Sequence, residues 1–457
     1  AAQSAADFQD EEYYKSGGLD LINAAEAYAL GYTGKGVTLG ICDLPVNFLN
    51  PEFNGKSSSQ IVNITLKSGV VKWSLIHGTH VAGIAAASRN GIGMQGVAYE
   101  AEIANAVYTK VHYDESTQSY ELEKIMSDDR YDYYFMHPEI KLINDSLGGE
   151  DYLDQIGLNE AKYQQWKKDI YDPAKNNYAL ILSAAGKDKL QIFAAGNAGH
   201  VSPSMEPLLG YWEAAGATNI LNVTALRENN TRADGKIVTA QAEGNLMALF
   251  SDLAKYAEDN TVAAPGCAII SANANFAADG NLDIPLEGTS MAAPFVTGAG
   301  AVVQQAFPYL NAKQIGDVLL STANSNINVV RHYIATEQLS SNKETECYNF
   351  FLLDTDLDTT EKDDLAAVIA KKGKLLNNDG IAYHVYSNAS LQEFVGQGVV
   401  DAGAAVKGPG ALNARRLSSS DISSSYTIHG AAAKQALYRV DTQGYDSVWS
   451  NDIKEIK

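Results

Sequence analysis

The sequence predicts a three-layer α/β fold, a mainly parallel central sheet with helices on both faces. Two observations carry this. Short apolar runs recur at 37–42, 103–107, 140–144, 190–195, 220–224 and 261–264. They are continuous rather than alternating, as strands buried on both faces should be. Helix-compatible stretches lie between them, notably 81–88 and 291–306. Strands that alternate with helices favour parallel pairing through crossovers.

The elements follow in order. The first 35 residues are acidic and rich in Tyr, with a helix-like stretch at 21–29. Gly31, Gly34 and Gly36 then punctuate the approach to the first apolar run. Segment 81–88 is built from small residues, which lets a helix pack closely on its neighbours. Segments 108–139 and 150–186 are polar, with many Tyr, Asp and Lys. Segment 327–394 holds an acidic block at 354–364 and a Lys-rich stretch at 371–374. All three read as solvated surface insertions. After Gly408, Pro409 and Gly410 the composition shifts. Residues 418–425 are Ser-rich and linker-like, and 436–456 alternate weakly, as the start of a β-rich module would. The chain therefore divides into a globular unit over 1–410 and a linker with a C-terminal β-rich extension over 411–457.

Composition excludes several classes. The 457 residues are 46% hydrophobic and 19% charged, so the bulk folds around a core without staples. Lys and Arg number 34 against 55 Asp and Glu, a formal net charge of −21. Such a chain does not hold nucleic acid or an anionic membrane by charge alone. No apolar run reaches 18 residues, so no direct membrane insertion is expected. Cys42, Cys267 and Cys347 form no C-x-x-C pair, which argues against a zinc ribbon or a redox dithiol. The small residues at 1–6 suit a new end left by signal removal.

Four segments carry chemistry. Asp43 follows the first apolar run, where α/β sheets place functional groups. His77-Gly78-Thr79-His80-Val81-Ala82-Gly83 puts one histidine at a helix start, placed to act as a base, with His80 packed structurally beside it. The three-residue step between the two histidines and the missing Glu argue against a zinc motif. Ala194-Ala195-Gly196-Asn197-Ala198-Gly199 presents an amide after a strand. Gly288-Thr289-Ser290-Met291-Ala292-Ala293-Pro294 presents a hydroxyl at a helix start, where negative charge is stabilised. Taken singly, each has an ordinary reading: a capping Asp, a core His, a turn Asn, an N-cap Ser. Together, in the order Asp43, His77, Asn197, Ser290, they point to nucleophilic hydrolysis.

These stretches, with 36–43, 146–149 and 264–266, resemble the subtilisin-like serine proteases, whose chain order is Asp, His, Ser. The resemblance spans roughly residues 25–410. It implies a subtilisin-like fold and a serine endopeptidase acting through an acyl-enzyme. It implies Ser290 as nucleophile, His77 as general base, Asp43 as the carboxylate that orients it, and Asn197 with the Ser290 backbone N–H as oxyanion donors. Ser146, Leu147, Gly148 and Gly149 become an edge strand that pairs with extended substrate. Asp151 becomes the pocket anion for Arg or Lys before the cut. No cofactor is required and no metal ligand is assigned. Residues 88–94 match the length of a calcium loop in secreted members, with Asn90 at a ligand-like position, so a structural Ca²⁺ stays open.

Departures from the family pattern are Leu44-Pro45 after Asp43, and Phe295 after Pro294, where His is frequent. No separate inhibitory pro-segment is recognised before residue 25. Segments 27–36, 396–409 and 438–453 are similar to subtilase passenger domains of bacterial autotransporters. That implies a secreted or cell-surface monomer acting on protein or peptide substrates, held at the outer membrane by a segment outside this chain. The competing readings are an impaired scaffold serving as an adhesin, which would leave Ser290 unlabelled by a fluorophosphonate, and a hydrolase confined to esters.

Overall fold

The structure, a computed structural model, describes residues 3–56, 58–60, 73–107, 109–114, 116, 119–124, 133–146, 181, 183–200, 202–212, 219–228, 230–239, 246–248, 250–328, 332–339, 345–352, 382–389, 391–408, 411–413, 435–437 and 454–455. Its centre is a sheet of seven parallel strands: β1 (Thr38–Asp43), β2 (Ser58–Gln60), β3 (Glu102–Val107), β4 (Leu142–Asp145), β5 (Leu190–Ala194), β6 (Ile220–Leu226) and β7 (Thr261–Pro265). Their order across the sheet is β7-β6-β5-β4-β1-β3-β2.

Alternate residues of each strand enter different cores. Leu39, Ile41, Ile103 and Leu142 join the main cluster, while Cys42, Ala104, Ala106 and Ile143 join a second one with Tyr134. On β6 and β7, Val223, Ala225, Val262 and Ala264 face the main cluster, and Leu226 and Ala263 face a third. A sheet apolar on both faces must be covered on both, which makes the three layers. Helices α1 (Trp73–Ala86) and α2 (Thr289–Ala306) pack together in the main core, with α3 (Ala312–Ser321) beside α2. Asn311 caps α3 reciprocally with Gln314.

From β1 the chain crosses to the edge strand β2, comes back to β3 between the two, and then passes to β1's other side with β4. The switch point therefore falls between β1 and β4, where Gly40 pairs Ile143 and Cys42 pairs Asp145. In such sheets the crevice for a ligand opens at the carboxyl ends of those two strands. Asp43 ends the first and Ser146 directly follows the second.

The expected strands are present to within two residues at each end. Three features were not anticipated. β2 is polar and too short for an apolar run. An antiparallel hairpin, β8 (Ile269–Ala272) with β9 (Asp283–Leu286), crosses over α1. Helix α1 runs over Trp73–Ala86 rather than 81–88, so His77 is its fifth residue and not its first. Gly78 reads locally as a breaker, and its real reason is a contact described below. The surface insertions contain structure of their own. Thr109–Asp114 pairs Ser119–Lys124, and His332–Leu339 is the middle strand between Thr345–Leu352 and Ala382–Ala389. Near the C-terminus, Ala411–Asn413, Gln435–Leu437 and Lys454–Glu455 pair antiparallel. Among the described residues no helix is long and apolar enough to cross a membrane.

Candidate active site

Asp43 is fully buried at the end of β1. Its Oδ1 accepts two hydrogen bonds, from the Leu44 N–H at 2.7 Å and from His77 Nδ1 at 2.7 Å. A carboxylate at a turn often takes the N–H two residues on, but that residue is Pro45, which has none. Oδ2 accordingly lacks a hydrogen-bond partner among the described residues. The turn is braced instead by buried Asn105. Its Nδ2 donates to the carbonyls of Ile41 and Leu44, and its Oδ1 accepts from the Val46 N–H at 3.0 Å.

His77 reaches Asp43 because α1 passes very close to the turn. A Cβ on Gly78 would lie 2.0 Å from the Leu44 carbonyl oxygen and 3.3 Å from Asp43 Oδ1. Gly78→Ala is therefore expected to cost about 1–3 kcal/mol through overpacking and to displace His77. Denaturant midpoints compared with kcat/KM check this; a variant with parental values of both would contradict the contact. Burial pushes the His77 imidazolium down, but the charge and hydrogen bond of Asp43 together raise its pKa above the ordinary histidine value.

Ser290 stands in the first turn of α2. Gly288 before it has φ 150° and ψ 160°, a conformation open essentially to glycine. Pro294 lies inside the helix and has no N–H for the Ser290 carbonyl four residues earlier. Ser146 Oγ supplies the missing donor at 2.8 Å. Asn144 Nδ2 in turn donates to Ser146 Oγ at 2.9 Å, and Thr297 Oγ1 donates to Asn144 Oδ1 at 2.9 Å. This buried polar string locks the start of α2 to the end of β4. In the same contact, Ser290 Oγ donates to the Ser146 carbonyl at 3.1 Å. The Ser290 backbone N–H makes no hydrogen bond among the described residues, as expected of a donor in a helix's first turn.

Asn197 follows β5. Its Oδ1 accepts from the Thr289 N–H and from Thr289 Oγ1, both at 2.8 Å. With its oxygen held twice, the amide turns its NH₂ toward the cavity it lines with His77 and Ser290. That cavity measures about 530 Å³. The structure thus brings Asp43, His77, Asn197, Ser290 and Ser146 to one crevice. Leu147, Gly148, Gly149 and Asp151 lie outside the described residues. Thr289 and Asn105 are additions. Thr289 sits inside the string quoted around Ser290, but its role appears only through its contact with residue 197.

His80 does not face the cavity. Its Nε2 donates to the carbonyls of Ile269 and Ile284, each at 3.0 Å, and Ser271 Oγ donates to the His80 carbonyl at 2.7 Å. Complete burial pushes its pKa down to about 3, so it is neutral and fastens α1 to the β8–β9 hairpin.

In the loop at 88–94 backbone N–H groups meet the nearby carboxylates: Glu12 accepts from Asn90 at 2.7 Å and from Gly91 at 3.0 Å, and Glu52 Oε1 accepts from Met94 at 3.0 Å. Among the described residues no three His, Cys, Asp or Glu cluster in a metal-binding arrangement. Glu52 is fully buried, and desolvation raises its pKa from 4.5 to about 8. Its protonated form is the one the fold favours, so its contribution to stability is complete below pH 4.5 and is lost as pH rises through about 8. Glu52→Gln is expected to flatten this loss, read as urea midpoints at acid and alkaline pH. An unchanged slope would contradict it.

The model of the subtilase family matches residues 34–349. An extracellular serine protease of Serratia marcescens is 32% identical over 344 residues, covering 68% of this chain and 32% of that protein. Subtilisin BL of Lederbergia lenta is 27% identical over 310 residues, covering 67% of this chain and 91% of that one. The solved protease domain of PatA overlays with a TM-score of 0.43 at 19% identity, covering 64% of this chain and 89% of that chain. This chain thus spans about a third of the length of the Serratia protein. A family match over most of the chain, coinciding with a parallel sheet whose switch point gathers the shared sequence strings, makes the chain a member of the subtilase family of serine proteases.

Proposed function

We propose that this chain hydrolyses peptide bonds in proteins through an acyl-enzyme. Ser290 is the nucleophile, His77 the general base, Asp43 the group that orients it, and Asn197 with the Ser290 N–H the oxyanion donors. The observation that carries this reading is that His77, held by the buried Asp43, lines one cavity with Ser290 and with the Asn197 amide fixed by Thr289.

Asp43 Oδ1 accepts a hydrogen bond from the protonated Nδ1, which fixes the tautomer and leaves Nε2 as the basic nitrogen. The Ser290 hydroxyl rests on the Ser146 carbonyl. An extended substrate laid along this strand end donates its own N–H to that carbonyl and takes the acceptor over. The hydroxyl then turns to His77, gives up its proton and attacks the substrate carbonyl. The oxyanion forms beside the Asn197 NH₂ and the free helix N–H. His77 passes the proton to the leaving amine, and water repeats the sequence to release the acid.

Asp151, following the strand edge, favours Arg or Lys before the cut. Extracellular relatives support secretion. The likeness of the C-terminal extension to autotransporter passengers supports presentation at a cell surface, as a monomer. A denatured protein digest read by mass spectrometry tests the reaction. Internal peptide bonds should be cut by the parent and left intact by Asp43→Ala; hydrolysis of esters alone would contradict the proposal.

A further inference from the structure

The cavity beside Ser290 has a composition the catalytic steps do not use. Among the described residues its walls include Ala268, Pro285, Leu286 and Met291, all apolar, and one exposed carboxylate, Glu287, at which no ion pair forms. Apolar walls beside a carboxylate suit a long aliphatic stem with a cationic head.

Position identifies the half of the substrate that enters. His77, which delivers a proton to the leaving amine, lines this cavity, whereas Ser146, whose carbonyl receives the acyl half, does not. The geometry points to Glu287 as the residue that makes this centre prefer lysine or arginine immediately after the cut bond. This rests on the serine-protease reading above, and it concerns the opposite side of the scissile bond from Asp151.

Glu287 is held in place rather than left on a loose loop. It directly follows β9, which His80 fastens to α1, the helix carrying His77. On its other side, the Gly288 N–H donates to the Gly266 carbonyl at 2.8 Å. The neighbouring thiol reports the local field. Burial raises the Cys267 pKa to about 12, and the charges of Glu228 and Glu287 add to the rise.

Three peptides test the inference. They share the residues before the cut and carry Lys, Gln or Glu after it, with the cleaved bond verified by mass spectrometry. The parent should cleave the Lys peptide with a kcat/KM about 5-fold above the Gln peptide, the upper end for a solvent-accessible ion pair. The Glu peptide should fall below both, and the spread should shrink in about 1 M salt. Glu287→Gln should bring the Lys/Gln ratio to about 1, and Glu287→Lys should invert the order. A parental ratio near 1, or a ratio unchanged in Glu287→Gln, would overturn the inference while peptide cleavage itself stands. If either variant fails to fold, the salt dependence of the parental ratio decides, since a preference insensitive to salt is not ionic. Absence of cleavage of all three peptides by the parent would overturn the protease reading, and this inference with it.

Discussion

Ser290→Ala is expected to lower peptide hydrolysis by about 10⁵–10⁶-fold, a magnitude known from subtilisin itself rather than derived from this structure. The variant retains the free helix N–H, the Asn197 amide and the substrate edge, so residual turnover above water should persist. Folding should be nearly untouched. Among the described residues the only hydrogen bond the hydroxyl makes is to the Ser146 carbonyl, worth about 1 kcal/mol. The locking contact runs the other way, from Ser146 Oγ to the Ser290 carbonyl, and alanine keeps it. Kinetics of a purified, folded variant provide the check; turnover within tenfold of the parent would remove Ser290 from the chemistry.

Asn197→Ala is expected to lower kcat by about 10²–10³-fold with little change in KM, again a size established for the oxyanion donor of subtilisin. Alanine also strands the Thr289 N–H, while the Thr289 hydroxyl keeps the Gly196 carbonyl as an acceptor at 3.2 Å, so the change should cost about 1 kcal/mol of stability. A second variant separates the two effects. Asn197→Asp keeps an oxygen acceptor for Thr289 but replaces the NH₂ with a charge facing the nascent oxyanion. It should fold like the parent and lose at least as much kcat as the alanine variant. Parental turnover in Asn197→Asp would show that the amide donates nothing in the transition state.

The apolar runs made six of the seven central strands legible because those six are buried on both faces and appear as unbroken windows, whereas the polar β2 left no such mark. Asp43, His77, Asn197 and Ser290 were legible because each sits in a short local string. The supports of these residues were not. Thr289 bonds to residue 197, Ser146 to the Ser290 carbonyl, and Asn105 to the turn at residues 44–46. These contacts join distant parts of the chain, and no local pattern encodes them. Leu44-Pro45 was visible as a departure, but its consequence, a carboxylate that serves both Leu44 and His77 with one oxygen, needed the fold. The start of helix α1 at Trp73 was not legible in the string around His77, and neither was the contact of Gly78 with the Leu44 carbonyl. The contacts of the loop at 88–94 with Glu12 and Glu52 were likewise not legible, since its length does not carry them.

The central claim is that an imidazole anchored on Asp43 activates the Ser290 hydroxyl, and covalent labelling measures that directly. Incubation of the full chain with a fluorophosphonate, followed by peptide mapping, should place a single label on Ser290. In His77→Ala the labelling rate should fall by at least about 10³-fold. An unlabelled Ser290 in the folded parent, or labelling as fast without His77 as with it, would contradict the account.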